Sequence, residues 1–251
     1  MNRLPQLATA LLLTVTLAPA LGYAPKKEKP AREDVEWIWQ YTPAPPDKDG
    51  RENALIQDPH FVPFLQQFLT APQTFWGTAI NGRYRSLANT ALDHLSVPGK
   101  VLADDNRYVS ISGCVIHFCP ARGLLWIDLN GTHHLVVFAA LDWIKEGRPA
   151  RDPGAEYTLW VFSNDPLSTA SGAQHVPPAL TKAIGRWAAE PLAGSGIVQN
   201  VTHAVLVDPD GTPHEAPPSA LGVASASPAA ATTPKPDNDK DTAAPALKPR
   251  N

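Results

Sequence analysis

A chain of 251 residues, 43% hydrophobic and 18% charged, has enough apolar content for one folded domain, or two small ones, with a real core. Its 21 basic residues against 24 acidic ones leave a formal net charge of -3, which excludes a general phosphate-binding surface and gives no reason to expect a nucleic acid partner. The 27 prolines are about twice the usual share for a compact fold, so part of the chain reads as linker or tail.

After Arg3 comes an uncharged apolar run from Leu7 to Leu17, and then small residues. Ala18-Pro19-Ala20 and Gly22-Tyr23-Ala24 both offer the small-x-small pattern of a signal peptidase site. Pro5 and Pro19 bound a stretch shorter than the roughly 20 residues that a spanning helix needs. The expectation is a cleaved export signal over 1–24 and a periplasmic or secreted mature protein with no stable membrane span. Residues 25–50 read as a flexible N-terminal segment. Within it Glu33 to Trp39 could start a short helix, whose two tryptophans suggest docking, and the proline run from Thr42 to Gly50 breaks regular structure.

The folded domain is expected over 51–212. Asp58-Pro59 has the form of an N-cap followed by a first-turn proline, and Phe61, Phe64, Leu65, Phe68 and Leu69 make the stripe of an amphipathic helix. A weaker helix runs from Arg83 to Leu95 and ends before Pro98-Gly99. Strand alternation then starts at Arg107 to Gly113. Gly123 to Leu129 and Thr132 to Leu141 flank Asn130-Gly131, the dipeptide of two-residue hairpin turns. Glu156 to Ser163 predicts a central strand. Leu180, Ala183, Ile184, Trp187 and Ala188 predict a helix over Ala179 to Glu190, and His203 to Val207 a last strand. From Pro213 to Asn251 the Ala/Pro-rich sequence lacks aromatic residues and is expected to be a disordered tail. The class is α+β, an antiparallel sheet with helices packed on one face.

Both cysteines fall in Cys114-Val115-Ile116-His117-Phe118-Cys119, after a strand and before Pro120. In an exported protein two such cysteines are expected to pair. Closing so small a ring contributes roughly 2 kcal/mol. Its larger effect is to freeze the enclosed backbone and present His117 in one direction. Val115, Ile116 and Phe118 either fold back onto the core or form a contact surface. Three readings stay open: a staple at a sheet corner with an incidental histidine, a presented histidine, and a zinc site. The last is disfavoured by the crowding of three ligands and the lack of a fourth.

In its Cys-x-x-His-x-Cys loop the chain resembles the inhibitors of vertebrate lysozyme (Ivy), exported proteins of diderm bacteria. Cys114, His117 and Cys119 match that pattern without a gap. Upstream, from Lys100 to Gly113, Val101, Asp105, Tyr108 and Ser112 fall at matching positions, and looser similarity continues in the hairpin and at Phe75-Trp76. The resemblance implies an Ivy-like α+β fold with a disulfide between Cys114 and Cys119. It also implies a loop that enters a lysozyme cleft, with the histidine bonded to the two catalytic carboxylates. The partner-binding residues are then His117, Val115, Ile116 and Phe118, the last three apolar where the family carries charged and proline residues. The expected partner is a lysozyme or another peptidoglycan-cleaving enzyme; a homodimer is compatible with the sequence. The alternative is a periplasmic or envelope interaction protein of the same fold without lysozyme inhibition.

No catalytic set, metal site or cofactor is expected: GxSxG, HExxH and phosphate-binding glycine loops are missing. His133 and His134 are adjacent strand residues that point to opposite faces. Asp104-Asp105 reads as a turn. His60, His94, His175, His203 and His214 read as structural or solvated, and Trp37, Trp39, Trp143 and Trp160 as packing residues.

Overall fold

The computed structural model of the chain describes residues 35–42, 51–75, 82–131, 133–167 and 175–224. The chain divides between Arg32 and Glu33, and every described residue belongs to the second unit. The export signal expected over 1–24, most of segment 25–50, Trp76 and the tail from 225 onward lie outside the described residues.

Seven strands form one sheet in chain order: β1 (Val97–Asp104), β2 (Tyr108–Val115), β3 (Phe118–Asp128), β4 (Val136–Trp143), β5 (Glu156–Ser163), β6 (Asn200–Val207) and β7 (Pro213–Ala216). Neighbours run antiparallel except β5 and β6, which are parallel. A parallel pair needs a crossover, and the helix α4 (Pro178–Ala188) lies in that connection. The class is α+β, as expected.

The helices cover both faces of the sheet and not one. On the first face a 3₁₀ turn (Glu36–Tyr41), α1 (Arg51–Ile56), α2 (Phe61–Phe68) and α3 (Leu87–His94) bury Ile38, Leu55, Phe61, Phe64, Leu65 and Leu87 against Ile111, Leu125, Ile127 and Phe138. On the second, α4 buries Leu180, Ile184 and Trp187 against Leu124, Trp126, Val137, Leu141 and Leu159. Side chains alternate faces along a strand. In β3 and β4 both parities are apolar, Leu124-Leu125-Trp126-Ile127 and Leu135 to Leu141, the mark of a sheet buried on two sides.

Local elements differ from expectation where tertiary pairing outweighs local signals. The helix N-cap falls on His60 rather than Asp58. The Asp58 carboxylate instead accepts the His60 N–H (2.8 Å) and the Tyr41 hydroxyl (2.6 Å), tying the 3₁₀ turn to α2. Tyr41 keeps its proton as a result, its pKa pushed up to about 12. Residues 35–42 therefore pack on the domain, with Val35 and Ile38 buried. α3 starts later than expected, at Leu87, where the Ser86 hydroxyl accepts the Asn89 N–H. β1 runs through Pro98-Gly99, which a sheet edge accommodates at the bulge between Pro98 and Val101.

The β3–β4 hairpin exists, but Asn130-Gly131 is not a two-residue turn. The strands part at Asp128 and Val136, and of the dipeptide only Gly131 takes a positive φ. The Asp128 carboxylate accepts the Asn130 N–H (3.0 Å) and its carbonyl bonds His134 Nδ1 (3.1 Å), which fixes a wider loop. At the C-terminal end order continues past Pro213. β7 pairs with β6, and a 3₁₀ turn (Pro218–Leu221) buries Leu221 and Val223 against the α4 layer.

His94 ends α3 buried against the sheet, with Nδ1 bonded to the Thr90 carbonyl (2.9 Å). Burial pushes its pKa below the ordinary 6.5, against the opposing pull of Thr90, Asp142 and Asp93. The unfolded chain then binds a proton that the native state does not, so this contribution is complete above pH 6.5 and shrinks as pH falls below it. Unfolding by urea between pH 7.5 and 5 should show this decline, and His94→Gln should flatten it. An unchanged slope in the variant would contradict the assignment.

Candidate functional site

The β2–β3 hairpin carries the loop that the sequence singles out. Val115 pairs with Phe118, so the turn is only Ile116-His117, and His117 takes the left-handed region at φ 64. Non-glycine residues take that region uncommonly, histidine more readily than most. Here the Cys114–Cys119 disulfide closes the base of the turn with the Cα atoms 4.8 Å apart. The pairing shifts at the same place, from Cys114 with Arg122 to Val115 with Phe118. Cys119, Pro120 and Ala121 are left between the two pairs as a bulge.

The stem is braced from three sides. The Ser96 hydroxyl, just past α3, accepts the Ile116 N–H (3.0 Å) and donates to the Asp93 carbonyl (2.7 Å). The Gln199 side-chain amide, just before β6, donates to the Pro120 carbonyl (2.7 Å). The Phe118 ring rests near Trp143 (6.1 Å between centroids), whose indole N–H is held by the Arg148 carbonyl. A stem fixed in this way has little conformational entropy left to lose on binding.

The tip is open. Ile116 is 56% and Phe118 40% exposed, and Val115 is half-buried. His117 is exposed, and among the described residues nothing bonds its ring. Val97, opposite Cys114 on β1, and Val198, beside Gln199, are also large and exposed. Val97 thus lies beside the root of the hairpin, and Val198 next to the residue that braces Pro120. Ile116 and Phe118 therefore stay exposed and do not fold back onto the core.

The remaining candidates sit elsewhere. His133 is exposed against Asp165 (3.2 Å) while His134 is buried, so the pair points to opposite sides. Asp104 is held bidentate by Arg186 (2.9 and 2.7 Å), whose guanidinium keeps its carboxyl below the usual carboxylate range. Asp105 forms the β1–β2 turn with Asn106, both at positive φ. His60 bonds Asp58, and His214 bonds Asp208. Trp37 packs on Phe64, and Trp160 on Phe75. Among the described residues no three His, Cys, Asp or Glu side chains gather as a metal set.

Ser96, Gln199 and Arg122 escape the sequence reading. For Arg122 a signal exists, a cation inside the apolar stretch Ala121 to Ile127, where an unpartnered charge is costly. The side chain is 7% exposed, lies over the Trp187 ring (5.2 Å), and donates to the Glu190 carbonyl (2.6 Å) and the Trp187 carbonyl at the end of α4. It thereby caps the helix C-terminus, whose partial negative charge favours a cation.

Comparison with protein-family models, with curated proteins and with solved structures finds no match to this chain.

Proposed function

We propose that this is an exported binding protein whose disulfide-closed hairpin enters the active-site cleft of a lytic glycosidase and blocks it. The observation that supports this reading is the exposed, unpartnered His117 at the tip of a turn closed at its root by Cys114–Cys119. Such a glycosidase carries two carboxyl groups flanking the scissile bond, one acting as acid. An imidazole has up to two N–H donors, so one ring reaches both groups and excludes the substrate by occupancy. Val115, Ile116 and Phe118 supply contact area beside it. Specificity for the cleft then comes from shape and from one polar anchor rather than from charge steering.

The test is residual activity of a vertebrate-type lysozyme titrated with the mature protein. Activity should fall to zero at saturation, and His117→Ala should weaken inhibition by at least about tenfold, the loss of one hydrogen bond to a charged group. Inhibition undiminished in the variant removes the histidine from the mechanism. No inhibition of this or other peptidoglycan-cleaving glycosidases favours the second reading, supported by the exposed Ile116 and Phe118, of a loop that contacts an envelope component without inhibiting lysozyme.

A further inference from the structure

At the root of the same hairpin, on the sheet face that carries α4, a groove with about 190 Å³ of free space is lined by Pro98, Ser112, Cys114, Cys119, Arg122 and Glu190. Its charge does not balance. Arg122 uses two of its five N–H donors on the neutral carbonyls of Glu190 and Trp187, and no carboxylate of the described residues lies within ion-pair distance. The Glu190 carboxylate is held by Lys100 Nζ at 2.9 Å. Two cations and one carboxylate leave one positive charge in excess. The end of α4 offsets about half of it, and burial lowers the Arg122 pKa accordingly. A buried cation with spare donors beside free space is a site for an anion.

We propose that this groove binds a small monocarboxylate with an apolar body, the carboxylate on Arg122 and the body against Pro98 and the disulfide. A single negative charge suits this excess better than the two of a dianion such as phosphate, which overshoots it further beside the Glu190 carboxylate. Both cysteines line the groove, so an occupant touches the root of the loop. The site does not depend on what the loop binds.

The probe is butyrate, added to the 15N-labelled mature protein, with butyramide as its neutral counterpart and inorganic phosphate as the dianion. Butyrate should shift the amides of Gly99, Ser112 and Gly113 saturably, with a dissociation constant on the order of 1 mM. Butyramide should leave them unmoved, and phosphate should bind more weakly. Ala193→Trp, which fills the groove from an exposed rim position and leaves Arg122 in place, should weaken butyrate by at least about tenfold. Equal shifts from butyramide, tighter phosphate binding, unaltered affinity in Ala193→Trp, or no saturable shift would each overturn the proposal.

Discussion

Gly123→Val is expected to destabilise the domain by about 3 kcal/mol, the upper end of overpacking costs, because the new side chain has no space and its neighbours are backbone. Gly123 and Gly113 face each other across β2 and β3. A Cβ on Gly123 would stand 2.8 Å from His94 Cβ and 3.0 Å from the His94 carbonyl oxygen, and one on Gly113 2.8 Å from Leu95 Cα. The two glycines form a notch in which the end of α3 lies directly on the sheet, which brings Ser96 within reach of Ile116. Urea unfolding should show a lower midpoint with an unchanged slope. Gly196→Ala, where nothing lies within 4 Å, should stay within about 0.5 kcal/mol of wild type. If Gly123→Val matched that control, the close approach of α3 to the hairpin would be wrong, and with it the Ser96 brace.

Arg122→Met is expected to cost about 1–3 kcal/mol, since it leaves the half-buried Glu190 carbonyl without its donor and takes from the Trp187 carbonyl the second of two donors, the Glu190 N–H (3.1 Å) remaining. Methionine keeps the contact with Trp187 while removing the bonds to the Glu190 and Trp187 carbonyls. The measurement is again the unfolding free energy, joined by amide exchange in α4, whose last turn should open first. A variant as stable as wild type, with α4 exchange unchanged, would show that the guanidinium does not hold the helix end. Because Arg122 pairs with Cys114 across the sheet, the same variant should also raise exchange at 114–119.

Much of this architecture is written in side-chain periodicity. The stripe Leu180, Ala183, Ile184, Trp187 and Ala188 is buried in α4 throughout, and Phe61, Phe64, Leu65 and Phe68 likewise in α2. Periodicity says that a face is covered but not which side of the sheet a helix takes; the two-parity apolar runs of β3 and β4 say only that both sides are covered. Turn chemistry misled in both directions. Asn130-Gly131 has the strongest local preference and yet lies in a wide loop set by Asp128 and His134. The tight turn falls on Ile116-His117, which have little preference for one and are held there by the disulfide and the bulge. β1 was hidden by Pro98-Gly99, and β7 by the composition of the tail, in which Leu221 and Val223 nonetheless find the α4 layer.

Of the candidate site, the cysteine pair and its histidine were legible because short-range spacing carries them. Ser96 and Gln199 were not. Each is a single polar residue whose partner is distant in sequence, Ser96 from Ile116 and Gln199 from Pro120, and no pattern in the chain joins them. What a loop rests on is a property of the folded sheet, whereas what it holds out is a property of the segment.

Inhibition by this hairpin requires that the His117 tip and a sugar compete for one cleft. Binding of the mature protein to a lysozyme should therefore be measured by calorimetry with and without a saturating chito-oligosaccharide. The prediction is an apparent affinity that falls in proportion to oligosaccharide concentration, with no ternary complex. An affinity indifferent to the sugar would place the loop outside the active site and contradict the account.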